Sequence, residues 1–453
     1  MKHLGVDTLV LLMMENRSFD HMLGHLGLPQ FSNGTKVDGL DPKKIASGAY
    51  GNPYQGMVYD PFAMKDGPLV SDLPHERDRI AQQTAQSKVS GTFGMNGFVD
   101  AYFGYTNGQF VTKHPDPMGY FEPDQVPITR FLADEYLVCD RWFAPLPAST
   151  HPNRFMSLCG TTRVDVTGGI LPPVGKPMLL DWLTARNVRW RVYPKALSFF
   201  MLMGRLDLAF STGFRPFANL ANDVRNEPDA TFPQVILVEP SYADAPHVGN
   251  DVPNDNHAPL AVAPGEAFIR DVYLALTSNP KRWGRTVFVV TYDEHGGFFD
   301  HVPPPMIPFA RPADADAKFT TGFDSLGVRV PTIVASPLVA RRSVSSTLFD
   351  HTSILQWVAE QFGSMGETYS QSVERRRVDG VASFGATLGS VARADVPVPP
   401  KAPASVGLTL AGPTAPPSPG AGAFEAAVRS AMTTRPGEMQ ARFPEVWKKF
   451  AQP

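Results

Sequence analysis

The chain has 453 residues, with 41 Lys+Arg against 44 Asp+Glu, a formal charge of −3 and 43% hydrophobic residues. That near-neutral balance excludes the broad basic footprint of non-specific nucleic-acid binding, and a chain of this length has ample material for a core. Pro 44 and Gly 38 predict long, ordered connecting loops.

In chain order, the first apolar run is Thr8–Met14 (TLVLLMM). It reads as a strand covered on both faces, because a membrane span needs ~20 apolar residues. No basic segment, apolar core and small-residue cleavage site precede it, so the chain reads as cytoplasmic, or as secreted if it is a mature form. Further buried strands are predicted at 188–193, 234–238, 286–291 and 330–335, and helices at 128–135, 265–277 and 353–362. The alternation predicts the α/β class, a central and mainly parallel sheet flanked by helices, with ligands beyond the carboxyl ends of its strands.

The Gly-, Tyr- and Phe-rich stretches 38–67 and 91–119 read as wall or lid loops. Between 395 and 420, eight prolines stand among Ala, Gly and Ser, which predicts an extended linker. That leaves 1–394 as the main domain. In the segment 421–453, helices at 423–432 and 439–450 are expected to dock on it. Cys139 and Cys159 lack CxxC spacing and read as buried small hydrophobes.

Chemistry concentrates at two strand ends. Glu15-Asn16 directly follows the first strand, and Asp293-Glu294 follows the strand that starts at Thr286. Adjacent strand ends would direct up to three carboxylates at one point, where anions without a cation repel and shift one another's pKa. A divalent ion resolves that conflict, and a set of oxygen donors suits hard Mg, Mn or Ca. Taken alone, each acidic pair also reads as a helix cap or a surface carboxylate. Gly296-Gly297 fits a close backbone approach beside such a site, or simply a tight turn.

The segment from Ser149 through Thr150-His151-Pro152-Asn153-Arg154 reads as a loop entering a helix, with Thr150 as cap and Pro152 in the first turn. Free N–H groups there would form an oxyanion site. A cation-bound Thr150 hydroxyl would be a nucleophile without a histidine base; alone, the same residue reads as an ordinary cap. His75 and His257, both in polar loops, are candidate donors of a proton to a leaving alkoxide. Arg154 and His301, the latter next to Asp300, are candidate substrate-binding residues. His21, His151 and His351 read equally as structural.

ENRSFDHMLG (15–24), THPNR (150–154), DEHGGFFDHV (293–302) and GVRVPTIVASP (327–337) stand in this order. Together they resemble the phosphoesterase family that holds bacterial and plant non-specific phospholipases C and a group of bacterial acid phosphatases. The resemblance implies an alkaline-phosphatase-like three-layer sandwich. It implies that Glu15, Asn16, Asp293 and Glu294 ligate one divalent metal together with Thr150, the nucleophile, and that His75 and His257 are active-site histidines. A further mid-chain histidine of the acid phosphatases has no clear match. Thr150 cannot yield the aldehyde that sulfatases make from Cys or Ser.

The implied activity is metal-dependent phosphoester hydrolysis through a phosphothreonine. A phospholipase C-type phosphodiesterase acting on phospholipids, in contact with a membrane surface and with no transmembrane segment, is the first reading. A phosphomonoesterase is the second, and a non-catalytic phosphate or lipid-headgroup binding protein the third. Larger bacterial phospholipases C carry an export signal and C-terminal domains, whereas 58 residues follow Asp395 here.

Overall fold

The computed structural model describes residues 2–3, 5–69, 71–87, 90–109, 111–169, 178–248, 251–404 and 418–451. Its centre is a seven-stranded sheet of β1 (Thr8–Met14), β2 (Leu137–Cys139), β3 (Trp190–Pro194), β4 (Val235–Glu239), β5 (Thr286–Tyr292), β6 (Ile333–Ala335) and β7 (Ser343–Ser345). In space the order is β7-β2-β6-β5-β1-β4-β3. Only β6 runs against its neighbours, pairing antiparallel with both β5 and β2, so the sheet is mainly parallel as expected. Every residue of β1 and β5 is buried, which explains their unbroken apolar sequence: both faces are covered by helices. The molecule is therefore an α/β sandwich.

Register decides what happens at the strand ends. Met14 is paired with Tyr292, and Leu12 with both Val290 and Val238. The next residues, Glu15 and Asp293, therefore leave the sheet side by side, one strand away from Glu239 at the end of β4.

The flanking helices are α1 (Pro127–Glu135), α2 (Thr150–Cys159), α3 (Ala263–Thr277) and α4 (Thr352–Phe362). At the chain's far end come α5 (Pro419–Thr434), α6 (Pro436–Arg442) and α7 (Pro444–Ala451). The expected helix at 439–450 is thus two, because Pro444 cannot donate the hydrogen bond that would continue α6. Ala423, Phe424, Ala427, Val428 and Val446 belong to the same core as the sheet. Ser418 anchors the start of α5 by donating to Asp244 at 2.6 Å. Of the expected linker 395–420, the stretch 405–417 lies outside the described residues. Cys139 and Cys159 are free and buried.

The loops expected to form a wall keep most of their residues partly or fully exposed, but lend a set of aromatic side chains to the core. Phe98, Tyr102, Phe103, Phe298 and Phe299 pack into a second apolar cluster with Tyr50, Tyr59 and Met118. No helix of the described residues is long and apolar enough to cross a membrane.

Candidate active site

Thr150 is the first residue of α2 and is 7% exposed. The cap itself is Ser149, not Thr150, one residue earlier than the sequence suggests. Ser149 has extended backbone (φ −76°, ψ −169°) and spends its hydroxyl on Glu76, donating at 2.8 Å, rather than on its own helix. Asn153 fixes the approach: its amide donates to the carbonyls of Ala148 (2.6 Å) and Ser149 (3.1 Å) and accepts from Leu146 N–H (3.0 Å). With its own hydroxyl released from capping, Thr150 Oγ1 reaches Asn16 Oδ1 at 3.4 Å.

Asn16 turns the chain off β1 in the left-handed region, φ +60°, a conformation Asn tolerates better than most residues. Its N–H donates to Asp293 Oδ1 at 3.0 Å, and its Nδ2 lies 2.9 Å from His257 Nε2. Gly296 (φ +63°) makes the approach of the Asp293-Glu294 turn possible, because a Cβ there would stand 2.1 Å from Asn16 O. Gly297 (φ +79°) does the same against Pro74 O, at 2.7 Å, and so brings in the loop that carries His75.

Arg154 occupies a different place from a substrate-facing residue. It is buried, with NH2 3.1 Å from Glu15 Oε1 and Nε 3.3 Å from Asp293 Oδ2. NH1 donates to Tyr242 OH at 3.2 Å, and the guanidinium lies against the rings of Phe199 and Tyr242. Its charge is spent on holding the two strand-end carboxylates together. Burial pushes both carboxyls up against that pull, Asp293 to about 6.

His257 donates through Nδ1 to Glu15 Oε2, 2.9 Å away, and its Nε2 is 3.6 Å from Asp72 Oδ2. His75 holds Leu73 O through Nδ1 at 2.7 Å, and the two imidazole centroids are 5.7 Å apart. Burial opposes a charge on either ring, but the surrounding carboxylates together overcome it, Asp72 foremost at both and Glu294 adding to it at His75, whose pKa is raised to about 9. Asp72 and Asp255, whose carboxylate accepts from His257 N–H at 3.1 Å, escaped the sequence reading. Their signal was proximity in sequence: each precedes one of these histidines by two or three residues.

His301 lies elsewhere. Its Nδ1 is 2.7 Å from Asp20 Oδ2 and its Nε2 3.2 Å from Asp38 Oδ1, within a buried cluster that Arg329 closes through Asp300 (2.9 Å) and Asp20 (3.2 Å). Among the described residues, no hydrogen bond or ion pair joins it to Thr150, Glu15, Asn16 or Asp293. His351 accepts from Trp142 Nε1 at 3.2 Å and donates to the carbonyl of Asp293 at 2.8 Å, which steadies that turn from behind.

The residues fit a divalent cation. Glu294 Oε1 is buried without a hydrogen-bond partner, and burial raises the carboxyl pKa of Glu15 and Asp293 even though Arg154 pairs with both. Groups whose donor atoms lie within 4.8 Å of one another are Glu15–Asp255–His257 and Asp72–His75–His257, with Asp20–Asp300–His301 in the separate cluster.

The sequence profile of the phosphoesterase family matches residues 6–365. The chain belongs to the phosphoesterase family. This phosphoesterase is 32% identical over 380 residues to non-specific phospholipase C1 of Arabidopsis thaliana, covering 79% of this chain and 67% of that one. It is 29% identical to the non-hemolytic phospholipase C of Burkholderia pseudomallei (79% and 55%) and 30% identical to phospholipase C A of Mycobacterium tuberculosis (79% and 73%). It is accordingly a phosphoric ester hydrolase. A member of the alkaline phosphatase superfamily from Vibrio parahaemolyticus overlaps 71% of this phosphoesterase, and 75% of its own chain, at 12% identity with a TM-score of 0.29, so the assignment of the fold rests on the sheet itself.

Proposed function

We propose that this phosphoesterase is a metal-dependent phospholipase C-type phosphodiesterase that works through a phosphothreonine intermediate, with residues 1–394 as its catalytic unit. The observation that carries the reading is the contact of Thr150 Oγ1 with Asn16 Oδ1 at 3.4 Å, in a residue whose own N–H donates to Asp293 Oδ1 at 3.0 Å. Glu15, Asn16, Thr150, Asp293 and Glu294 would hold one divalent ion, of the Mg, Mn or Ca type. Bound there, the ion would neutralise the phosphoryl oxygens and make the Thr150 hydroxyl easier to deprotonate.

In the first displacement Thr150 Oγ1 attacks phosphorus, the Oγ1–P bond forms, and the bond from phosphorus to the leaving oxygen breaks. A proton goes to the departing alkoxide. His75 suits that task, because its Nδ1 is already committed to Leu73 O and its ring is held protonated beside Asp72. In the second displacement a water attacks phosphorus, the same imidazole, now neutral, takes its proton, and the P–Oγ1 bond breaks to return the Thr150 alkoxide with which the first displacement began. His257, fixed between Glu15 and Asn16, orients the oxygens of the site. At the N-terminus of α2, Pro152 has no N–H and that of His151 donates to Thr167 Oγ1 at 3.3 Å, so the N–H of Thr150 is left to meet the developing negative charge. Arg154 preserves the spacing of Glu15 and Asp293.

The names of the phospholipase C relatives favour phospholipid as substrate, and with it contact with a membrane surface. Parallel assays on phosphatidylcholine and on p-nitrophenyl phosphate test this reading. Release of diacylglycerol at a rate well above that of nitrophenol supports it. The reverse ranking makes the protein a phosphomonoesterase.

A further inference from the structure

A cleft of about 1270 Å³ opens beside the candidate active site, larger than the ~300–1000 Å³ of ordinary small-molecule pockets. None of the proposed catalytic or metal-binding residues lines it, yet two of its walls are the segments that deliver them. Arg77, two residues after His75, forms one wall, and Pro147, three residues before Thr150, forms another. Hydrogen bonds tie these walls together, from Ser149 to Glu76 at 2.8 Å and from Thr167 N–H to Ser149 Oγ at 2.9 Å.

The apolar part of the lining is Phe93, Val166, Met306, Phe309 and Phe323, beside polar residues such as Thr84, Gln86 and Ser325. Val166 and Met306 stand 40% and 49% exposed on its lip. The cations at the edge are already engaged. Arg77 pairs with Asp165 at 2.9 Å and stacks on Phe323, Arg375 pairs with Asp379 at 3.3 Å, and Arg311 donates to backbone carbonyls. An apolar ligand lying along these side chains would leave the paired cations in place, with the exposed carboxylates of Asp78 and Asp324 kept at the solvent edge of the lining. Exposed apolar side chains grouped on a concave surface mark a binding site.

Resting on the reading of the protein as a phospholipase C, we infer that this cleft receives the acyl chains of the diacylglycerol leaving group. The leaving oxygen takes its proton from the His75 side of the phosphorus, and the chain from His75 to Arg77 runs directly into the cleft wall. A leaving group departing toward His75 is thereby directed along the Phe93–Met306 surface. Phe93, Val166, Met306, Phe309 and Phe323 give acyl chains a surface to lie on, and the volume of about 1270 Å³ accommodates them.

The test uses the full chain loaded with its metal and three phosphodiesters that share the phosphocholine head group: p-nitrophenyl phosphorylcholine, monomeric dihexanoylphosphatidylcholine and phosphatidylcholine vesicles. The variants are Met306→Glu and Val166→Asp, checked for unchanged thermal midpoints. The inference expects kcat/KM on both lipids to fall about tenfold or more, with the nitrophenyl diester retained within about twofold. Equal losses on all three substrates, or no loss on any, would overturn it. A loss confined to vesicles would overturn it in favour of a membrane-contact face. A wild-type protein that cleaves none of the diesters removes the phospholipase reading, and the acyl cleft with it.

Discussion

Thr150 Oγ1 lies 3.4 Å from Asn16 Oδ1, across 134 residues of chain. The contact exists because Ser149 takes over the capping position and leaves the neighbouring hydroxyl unspent. Replacing Thr150 by Ala should lower kcat by about a thousandfold or more and leave the thermal midpoint unchanged. Steady-state kinetics and a melting curve on the same preparation check it, and turnover close to wild type would remove Thr150 from the chemistry.

Arg154 should matter for cohesion before it matters for substrate. Arg154→Met strips the shared cation from Glu15 and Asp293, two buried carboxylates, and should cost about 3–5 kcal/mol of stability. Urea unfolding of the metal-free protein measures that cost. A variant as stable as wild type but with a raised KM would instead make Arg154 a substrate contact.

Gly296→Ala should damage the site from the backbone. The added methyl would meet Asn16 O at 2.1 Å at a residue already at φ +63°. A loss of about 2 kcal/mol or more is expected, together with weaker binding of divalent ions measured by calorimetry. Gly34→Ala is the control, because φ there is +86° but a Cβ meets nothing within 4 Å. Equal losses from both variants, with ion binding intact, would reduce the effect to backbone strain alone.

His301 gives a pH signature. Burial opposes its charge, but Asp20 and Asp38 raise it to about 10, above its ordinary value of ~6.5. A group raised on folding stabilises fully below its unfolded pKa and loses that contribution as pH rises through the folded one. The stability gap between wild type and His301→Asn should therefore be widest near pH 6 and shrink as pH passes about 10. Denaturant midpoints over that range check it, and a gap that grows with pH would contradict it.

Much of this is legible in the sequence because strong local signals agree with the tertiary result. The run TLVLLMM forms β1 without change of boundary, and the acidic pairs lie where buried parallel strands end. Other features depend on partners that sequence does not name. β2 and β7 are three residues each, too short to show a period. The reversed direction of β6 leaves no mark in VPTIVA. Ser149 and Thr150 are both good caps, and the Ser149 hydroxyl is held by partners distant in sequence, the carboxylate of Glu76, 73 residues away, and Thr167. His301 next to Asp300 reads as an oriented substrate-binding imidazole, but its carboxylate is Asp20 on another signature segment. The aromatic loops suit rim and core equally well in sequence, and the burial of Phe98, Phe103 and Phe298 comes from the facing loops.

The most direct measurement is to acid-quench the metal-loaded enzyme during turnover of the diester p-nitrophenyl phosphorylcholine and locate the phosphorylcholine adduct by peptide mass spectrometry. The account predicts one modified residue, Thr150, with the adduct absent from Thr150→Ala. The adduct on any other side chain, or turnover at full rate with no covalent adduct detectable on the millisecond scale, would contradict it.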